Sequence, residues 1–466
     1  MRRNAIGILT FNVIRRGAAF VAFVLISRAS TGVVLESWVL VLTLAELFRT
    51  LLNFSSDQIL LRFLGKAQLQ NEWTSASILA KAALSIVATL LAVIAALALG
   101  YSREIVAGSF LLFPYFLCAG GNDALAALTQ SRNLTMRTAP LAAISGVVYV
   151  AAAIGICLIG PNMYGFILAL TLAEASLLAF QARFLLRNAA LRISIEAQRA
   201  LILAKESIFV GLSAIVTLSY FRLDTLLLGH FRGSEVGIYA ASYKITESSL
   251  LVATAVGTSL IAGLSHRLTQ SQAIVPPLRR ATAGVVGFLL MAELLYVIAG
   301  RSIFPLLFSA RFAGAYPASI ILGAAAVAMG SNIVTANALI AHGAQRRIFV
   351  LTFGLIGINI VLNLALIPRW GYIGAAWSTV ATEYPNLLVQ AGLMLRITGF
   401  TPHGLLGWCG IIAAALIPIA FETGIATRAV LVAAAIIGIL LMAGVMMNTE
   451  MRVAASGRAR TLGRKS

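Results

Sequence analysis

The chain has 466 residues, 60% of them hydrophobic and 11% charged, with a formal net charge of +19. A soluble domain carries about a quarter of its residues as charges, so a water-soluble globule is excluded. The basic excess then has to be explained by topology before nucleic acid is invoked.

Apolar runs long enough to cross a hydrocarbon core of about 30 Å as helices recur from end to end. In chain order they fall near 5–27, 33–53, 76–99, 105–130, 138–159, 163–186, 207–229, 239–263, 281–300, 317–342, 347–367, 372–395, 404–421 and 429–448. The expected fold is an all-α polytopic membrane protein of about fourteen transmembrane helices. The first span has the basic flank of a signal peptide, but it is long and contains Arg15 and Arg16, so it is expected as a retained helix. With a cytoplasmic N-terminus, the inside segments hold 22 of the 35 Lys and Arg residues and the outside segments seven. That asymmetry places both termini in the cytoplasm. The basic tail Arg452–Lys465 is expected at the anionic leaflet surface, among membrane lipids and not on nucleic acid.

Composition shifts divide the chain. Residues 1–186 form an N-terminal six-helix lobe, 187–206 a basic amphipathic cytoplasmic connector, and 207–398 a second six-helix lobe. Two further helices occupy 399–448, and 449–466 is the tail. The halves look duplicated. Asn122, Gln130 and Arg132 repeat as Asn337, Gln345 and Arg347, 215 residues on; Gly165 and Glu174 repeat as Gly374 and Glu383, 209 residues on. Such a 6+6 repeat is common among transporters.

Charges at membrane depth are expensive unless they pair, snorkel or line water, so each is a functional candidate. Arg15 and Arg16 lie about ten residues into span one, about 15 Å deep at 1.5 Å per residue. Arg49 and Lys81 sit nearer span ends, where long side chains can reach headgroups. With Arg222 and Lys244 they form a set expected to line a cavity between the lobes. Such a cavity favours an anionic substrate, because guanidinium forks match phosphate oxygens. The acids Asp123, Glu174, Asp224, Glu293 and Glu383 are the candidates for coupling to H+ or Na+. Asp224 is two residues from Arg222 and so on nearly the opposite helix face, whereas Lys244 and Glu247 are spaced to pair. No catalytic constellation, P-loop, Rossmann fingerprint or metal-spaced His/Cys cluster is present, so no cofactor, metal or enzymatic activity is expected. Cys118, Cys157 and Cys409 fall within spans and are read as small buried apolar side chains.

Two stretches carry a resemblance. LDTLLLGHFRGSEVGIYAASYKITE, from Leu223 to Glu247, is similar to a D-x-x-L-L-G…G-x-x-x-V-G-x-Y-x-A-A-x-K segment. NIVLNLALIPRWGYIGAAWSTVATE, from Asn359 to Glu383, is similar to N-x-x-L-N-x-x-L-I-P-x-x-G-x-x-G-A-A-x-x-T. Both resemble the Wzx-like polysaccharide biosynthesis flippases of the multidrug/oligosaccharidyl-lipid/polysaccharide (MOP) exporter superfamily. The first hairpin, SRASTGVVLESW, keeps Arg28 and Gly32 but has Glu36 where that family has glycine. The resemblance implies a polyprenyl-diphosphate-linked oligosaccharide moved across a bacterial inner membrane by alternating access, for O-antigen, capsule or exopolysaccharide synthesis. It also implies polysaccharide polymerase machinery as a partner. The alternatives are a MATE-like cation/drug antiporter, which calls for an acidic and aromatic pocket, and a lipid II flippase. A polymerase or ligase would need a large outward loop, and none here exceeds about 16 residues.

Overall fold

The computed structural model describes residues 2–398 apart from 56, 65–68, 189–191, 193, 271 and 272. The last two predicted spans, the basic tail, Cys409 and His403 lie outside the described residues. Every described element is helical, as a chain without water for its backbone requires. The helices are α1 (Arg2–Ala29), α2 (Gly32–Arg49), α3 (Asp57–Leu64), α4 (Gln70–Ala98), α5 (Arg103–Phe110), α6 (Leu112–Ser131), α7 (Thr135–Ile159), α8 (Met163–Asn188), α9 (Ala197–Arg232), α10 (Val236–Thr269), α11 (Val275–Phe308), α12 (Ala315–Ala341) and α13 (Gln345–Thr398). Among the described residues seven helical stretches are long and apolar enough to cross a membrane, or eight with a bent pair over α9 and α10 counted.

Local chemistry sets the element ends. Thr31 caps α2 by accepting from the Val34 amide, and Ser102 caps α5 through Ile105. Asn162 Oδ1 accepts from the Gly165 amide at 2.7 Å and so caps α8. Each satisfies a first-turn amide that has no partner within the helix. Predicted span four is two helices, α5 and α6, broken at Leu111. Helix α9 begins at Ala197, within the predicted connector. Helix α3 was not foreseen. Its Leu60 and Leu64 pack with Leu125, Leu128 and Leu203, and Phe63 stacks on Trp73 with ring centroids 4.0 Å apart.

The described chain falls into two compact units. The first comprises Met1–Ala240 with Leu306–Arg311 and Ile360–Ala375; the second comprises Ala241–Pro305, Phe312–Asn359 and the chain from Ala376. In the first unit α1 packs on α7, α4 on α6 and α9, and α8 on α6 and α7. In the second, α12 is the buried axis, with nearly every residue from Ala315 to Thr335 enclosed. Its run of Ala, Gly and Ser lets neighbouring backbones approach where lipid supplies no hydrophobic drive. Helix–helix contacts there are tied by side chains on backbone carbonyls: Ser242 to Ala315, Tyr296 to Ile245, Tyr316 to Val297 and Tyr384 to Ala324.

The 54-residue α13 is two helices joined at Gly371, whose φ of 55° and ψ of −135° only glycine adopts readily. Pro368 lies three residues before that break. Arg232, at the end of α9, donates to the Pro368 carbonyl at 2.9 Å, and Glu235 accepts from the Tyr372 amide at 2.8 Å. A cation therefore meets the carboxyl end of one half-helix and an anion the amino end of the next, which is the favourable sense for both dipoles.

The internal repeat is visible as geometry, in a register that corrects one of the two sequence matches. The turns after α6 and α12 share a left-handed residue, Asn133 at φ 58° and Gly343 at φ 78°. Each is closed by the same bonds, Leu134 to Thr129 and Ala344 to Leu339. These positions are 210 residues apart, as are Asn122 and Asn332, while Glu174 and Glu383 are 209 apart. The Glu match therefore keeps the structural register. The Asn337 match does not: its side chain bonds its own helix at Ile333, and Asn332 holds the position equivalent to Asn122. The cysteines also differ from expectation. Cys118 and Cys157 are partly exposed, not buried.

Candidate functional site

Four ionisable side chains and two neutral partners meet in the first unit, brought from α1, α2, α6 and α8. Arg15 of α1 donates to Glu174 Oε1 of α8. Arg49, at the last position of α2, reaches Glu174 Oε1 at 3.4 Å through Nη1 and Asp123 Oδ1 of α6 at 3.1 Å through Nη2. The Tyr115 hydroxyl accepts from Arg49 Nη1 at 3.3 Å, with the guanidinium 5.9 Å from the ring centroid. Asn122 donates to the backbone oxygen of Glu174 at 2.9 Å and to its Oε2 at 2.7 Å. Glu174 is almost wholly enclosed, whereas Arg15, Arg49 and Asp123 each keep about a quarter of their side-chain surface open. The cluster is thus charge-balanced, anchored on its buried carboxylate and reachable through its arginines.

Three of the remaining predicted cations are also compensated, the Lys81 pair lying beside the cluster and within electrostatic reach of Asp123. Arg222 pairs with Glu46 at 2.7 Å, and Lys81 with Asp57 at 3.0 Å. In the second unit Lys244 pairs with Glu247 at 3.2 Å, as the spacing predicts. Arg16 is exposed and makes no ion pair among the described residues. Lys81 does not reach for headgroups, since its side chain is 1% exposed and points to Asp57 on α3. Because Lys81 is 1% exposed and Asp57 37%, loss of the acid strands the more deeply buried charge and loss of the base the less buried one. Asp57→Asn is therefore expected to destabilise the protein by about 3 kcal/mol, and Lys81→Met by under about 1 kcal/mol. Thermal unfolding of the purified variants measures the difference.

Of the predicted acids, Asp224 accepts from the Tyr239 hydroxyl and from the Thr225 amide at 2.6 Å. Glu383 repeats the arrangement of Glu174: Asn332 donates to its backbone oxygen at 3.0 Å and to Oε2 at 2.6 Å, with Asn386 adding a contact at 3.4 Å. Glu293 of α11 is 2% exposed, and neither carboxyl oxygen has a hydrogen-bond partner among the described residues. Sequence reasoning did not single out Glu46, Asp57, Tyr115 or Asn332, and it marked Asn122 only as part of the repeat. Glu46 carried a signal, being an acid inside a predicted span; Tyr115 and Asn332 carried none. Among the described residues no group of three His, Cys, Asp or Glu could hold a metal ion.

Long apolar helices, buried intramembrane ion pairs and the internal repeat define a multi-pass helical membrane protein. The solved structures it is similar to have that architecture. A lipid II flippase MurJ in an inward closed conformation superposes with a TM-score of 0.74 at 12% identity, covering 95% of this chain and 99% of that one. An inward-facing MATE multidrug resistance transporter of the MOP superfamily gives 0.63 at 12% identity over 85% of this chain and 99% of its own. A MOP superfamily transporter from Pyrococcus furiosus gives 0.59 at 14% identity, over 86% and 96%. At these identities the likeness is one of fold. Residues 1–261 match the family described as polysaccharide biosynthesis protein, and the chain belongs to that family. A curated relative, the probable flippase AglR of Haloferax volcanii, is 28% identical over 211 residues, which span 44% of each chain.

Proposed function

We propose that this protein moves a polyprenyl-diphosphate-linked oligosaccharide from the inner to the outer leaflet of a bacterial inner membrane by alternating access. It would do so with about fourteen spans in two six-helix lobes plus two C-terminal helices, both termini cytoplasmic. The reading rests on the pairing of Arg15 and Arg49 with Glu174 and Asp123 at membrane depth, in a chain of the polysaccharide biosynthesis family.

A diphosphate offers several oxygens to a guanidinium fork, so it competes with carboxylates for the same donors. Arg49 already divides its fork between two acids, and both arginines are partly open to an incoming anion. Exchange of carboxylate for diphosphate keeps every cation paired, which avoids an isolated charge in low dielectric. Protonation of Glu174 or Asp123 frees the arginines for the lipid, and loss of the diphosphate returns them to the acids. That exchange links substrate to a proton gradient. Arg16, Lys81, Arg222 and Lys244 are the further candidate contacts along the path, and Asp224, Glu293 and Glu383 the further coupling acids.

Deletion of the gene is expected to abolish surface polymer and to accumulate undecaprenyl-linked repeat units on the cytoplasmic face. Normal surface glycan with raised sensitivity to cationic drugs would move the reading to an antiporter. Flipping by a Glu174→Gln variant that is unchanged when the gradient is collapsed would remove the coupling role of that acid. A lipid II flippase is the second reading, since the fold likeness to MurJ and the diphosphate chemistry suit it equally well. Competition by lipid II for binding separates the two.

A further inference from the structure

The five candidate coupling acids are not equivalent. Asp123 and Glu174 face arginines, Asp224 accepts from a phenol and an amide, and Glu383 accepts from two asparagines. Glu293 has none of these, and it is sealed. Its carboxyl lies against Gly323 of α12 so closely that a side-chain carbon on Gly323 would overlap Oε2, and the Tyr296 ring closes the same space. The titratable groups of the surrounding helices are each engaged elsewhere. Tyr296, on its own helix, donates to Ile245, and Tyr384 of α13 donates to Ala324. Lys244 and Glu247 of α10 pair with each other, and Glu383 of α13 is bonded by Asn332. No charged group among the described residues compensates Glu293.

We propose that Glu293 is a proton-binding site of the second unit, occupied by H+ in the packing seen here and emptied only when α11 and α12 separate. An ionised carboxylate without protein donors or a cation is very costly in such a place, so the group is neutral while it rests on Gly323. To ionise it must leave that contact and meet water or a donor. Proton release and the movement of α11 away from Gly323 are then one event, and a gradient that favours one state of the acid favours one arrangement of the helices. Among the described residues no second carboxylate shares the site to complete an oxygen cage, which favours H+ over Na+. The inference deepens the coupling part of the proposed function and rests on it only for what the proton drives.

The test is infrared difference spectroscopy on the full-length protein in lipid nanodiscs, titrated from acid to alkaline buffer with and without undecaprenyl diphosphate. A protonated-carboxyl carbonyl band is expected in the parent protein. It should be absent from Glu293→Gln, whose amide keeps the side chain's shape and whose elution profile checks folding. The band should fall as the buffer is made alkaline. A band that survives in Glu293→Gln, or one that never changes with pH, overturns the proposal. In liposomes carrying an entrapped pH dye, Glu293→Gln should lose proton movement evoked by undecaprenyl diphosphate while still binding that lipid. Absence of binding in the parent, with the band intact, would sink the proposed substrate and leave the proton site standing.

Discussion

Arg49→Gln is expected to abolish transport and to destabilise the protein, and the two effects are separable. Among the described residues Arg49 is the cation that touches both acids of the cluster, Glu174 at 3.4 Å and Asp123 at 3.1 Å. Its removal leaves Asp123 without its bound cation and Glu174 with Arg15 alone. Breaking a buried pair from one side costs about 3–5 kcal/mol. Arg49 and Asp123 each retain about a quarter of their side-chain exposure, so the expected loss is about 2 kcal/mol. The double variant Arg49→Gln, Asp123→Asn removes the stranded charge and should recover most of the stability. It should not recover transport if the guanidinium is what receives the diphosphate. Thermal unfolding of both variants, set beside surface polysaccharide in the complemented deletion strain, reads the two quantities independently. Transport restored by the double variant would show that Arg49 serves only to neutralise Asp123.

The second large effect falls on Gly371. Alanine there meets two obstacles of different kinds. The backbone is at φ 55° and ψ −135°, a conformation that costs a residue with a Cβ about 1–3 kcal/mol. The Cβ would also enter the space held by the Glu235 carboxylate. Moving Glu235 aside removes its bond to the Tyr372 amide and exposes the amino end of the second half of α13. Gly371→Ala is expected to lower the yield of folded protein sharply. Adding Glu235→Ala relieves the overlap but not the backbone strain, so it should restore only part of that yield. Full restoration by the double variant would mean that the carboxylate contact, not the dihedral angles, sets the requirement for glycine. Size-exclusion profiles of the purified variants decide between these outcomes.

Much of the site could be read from sequence because charge in an apolar run is conspicuous. Arg15, Arg49, Asp123 and Glu174 were each marked by that rule alone. What could not be read is that they form one cluster, because they come from four helices up to 159 residues apart. Lys81 shows the limit from the other side. Depth suggested a side chain reaching for headgroups, yet α3 folds back to supply Asp57, and nothing local in the sequence announces that pairing. The repeat was legible at Glu174 and Glu383 and misread at Asn337. Three matched residues in a motif this short carry little register information, whereas the left-handed turns at Asn133 and Gly343 fix it.

Composition and hydropathy by themselves determined that this is a helical, multi-pass membrane protein. In hydrocarbon a backbone must satisfy its own hydrogen bonds, and a long apolar run has no other way to do so. Glycine and proline around residue 371 likewise marked the break in α13, because φ and ψ are local properties. Partners were decided only by tertiary structure. Which acid faces arginines, which accepts from asparagine and which is left alone against Gly323 depends on distances between helices. An intramembrane carboxylate's state follows from those neighbours and not from its own position in the chain.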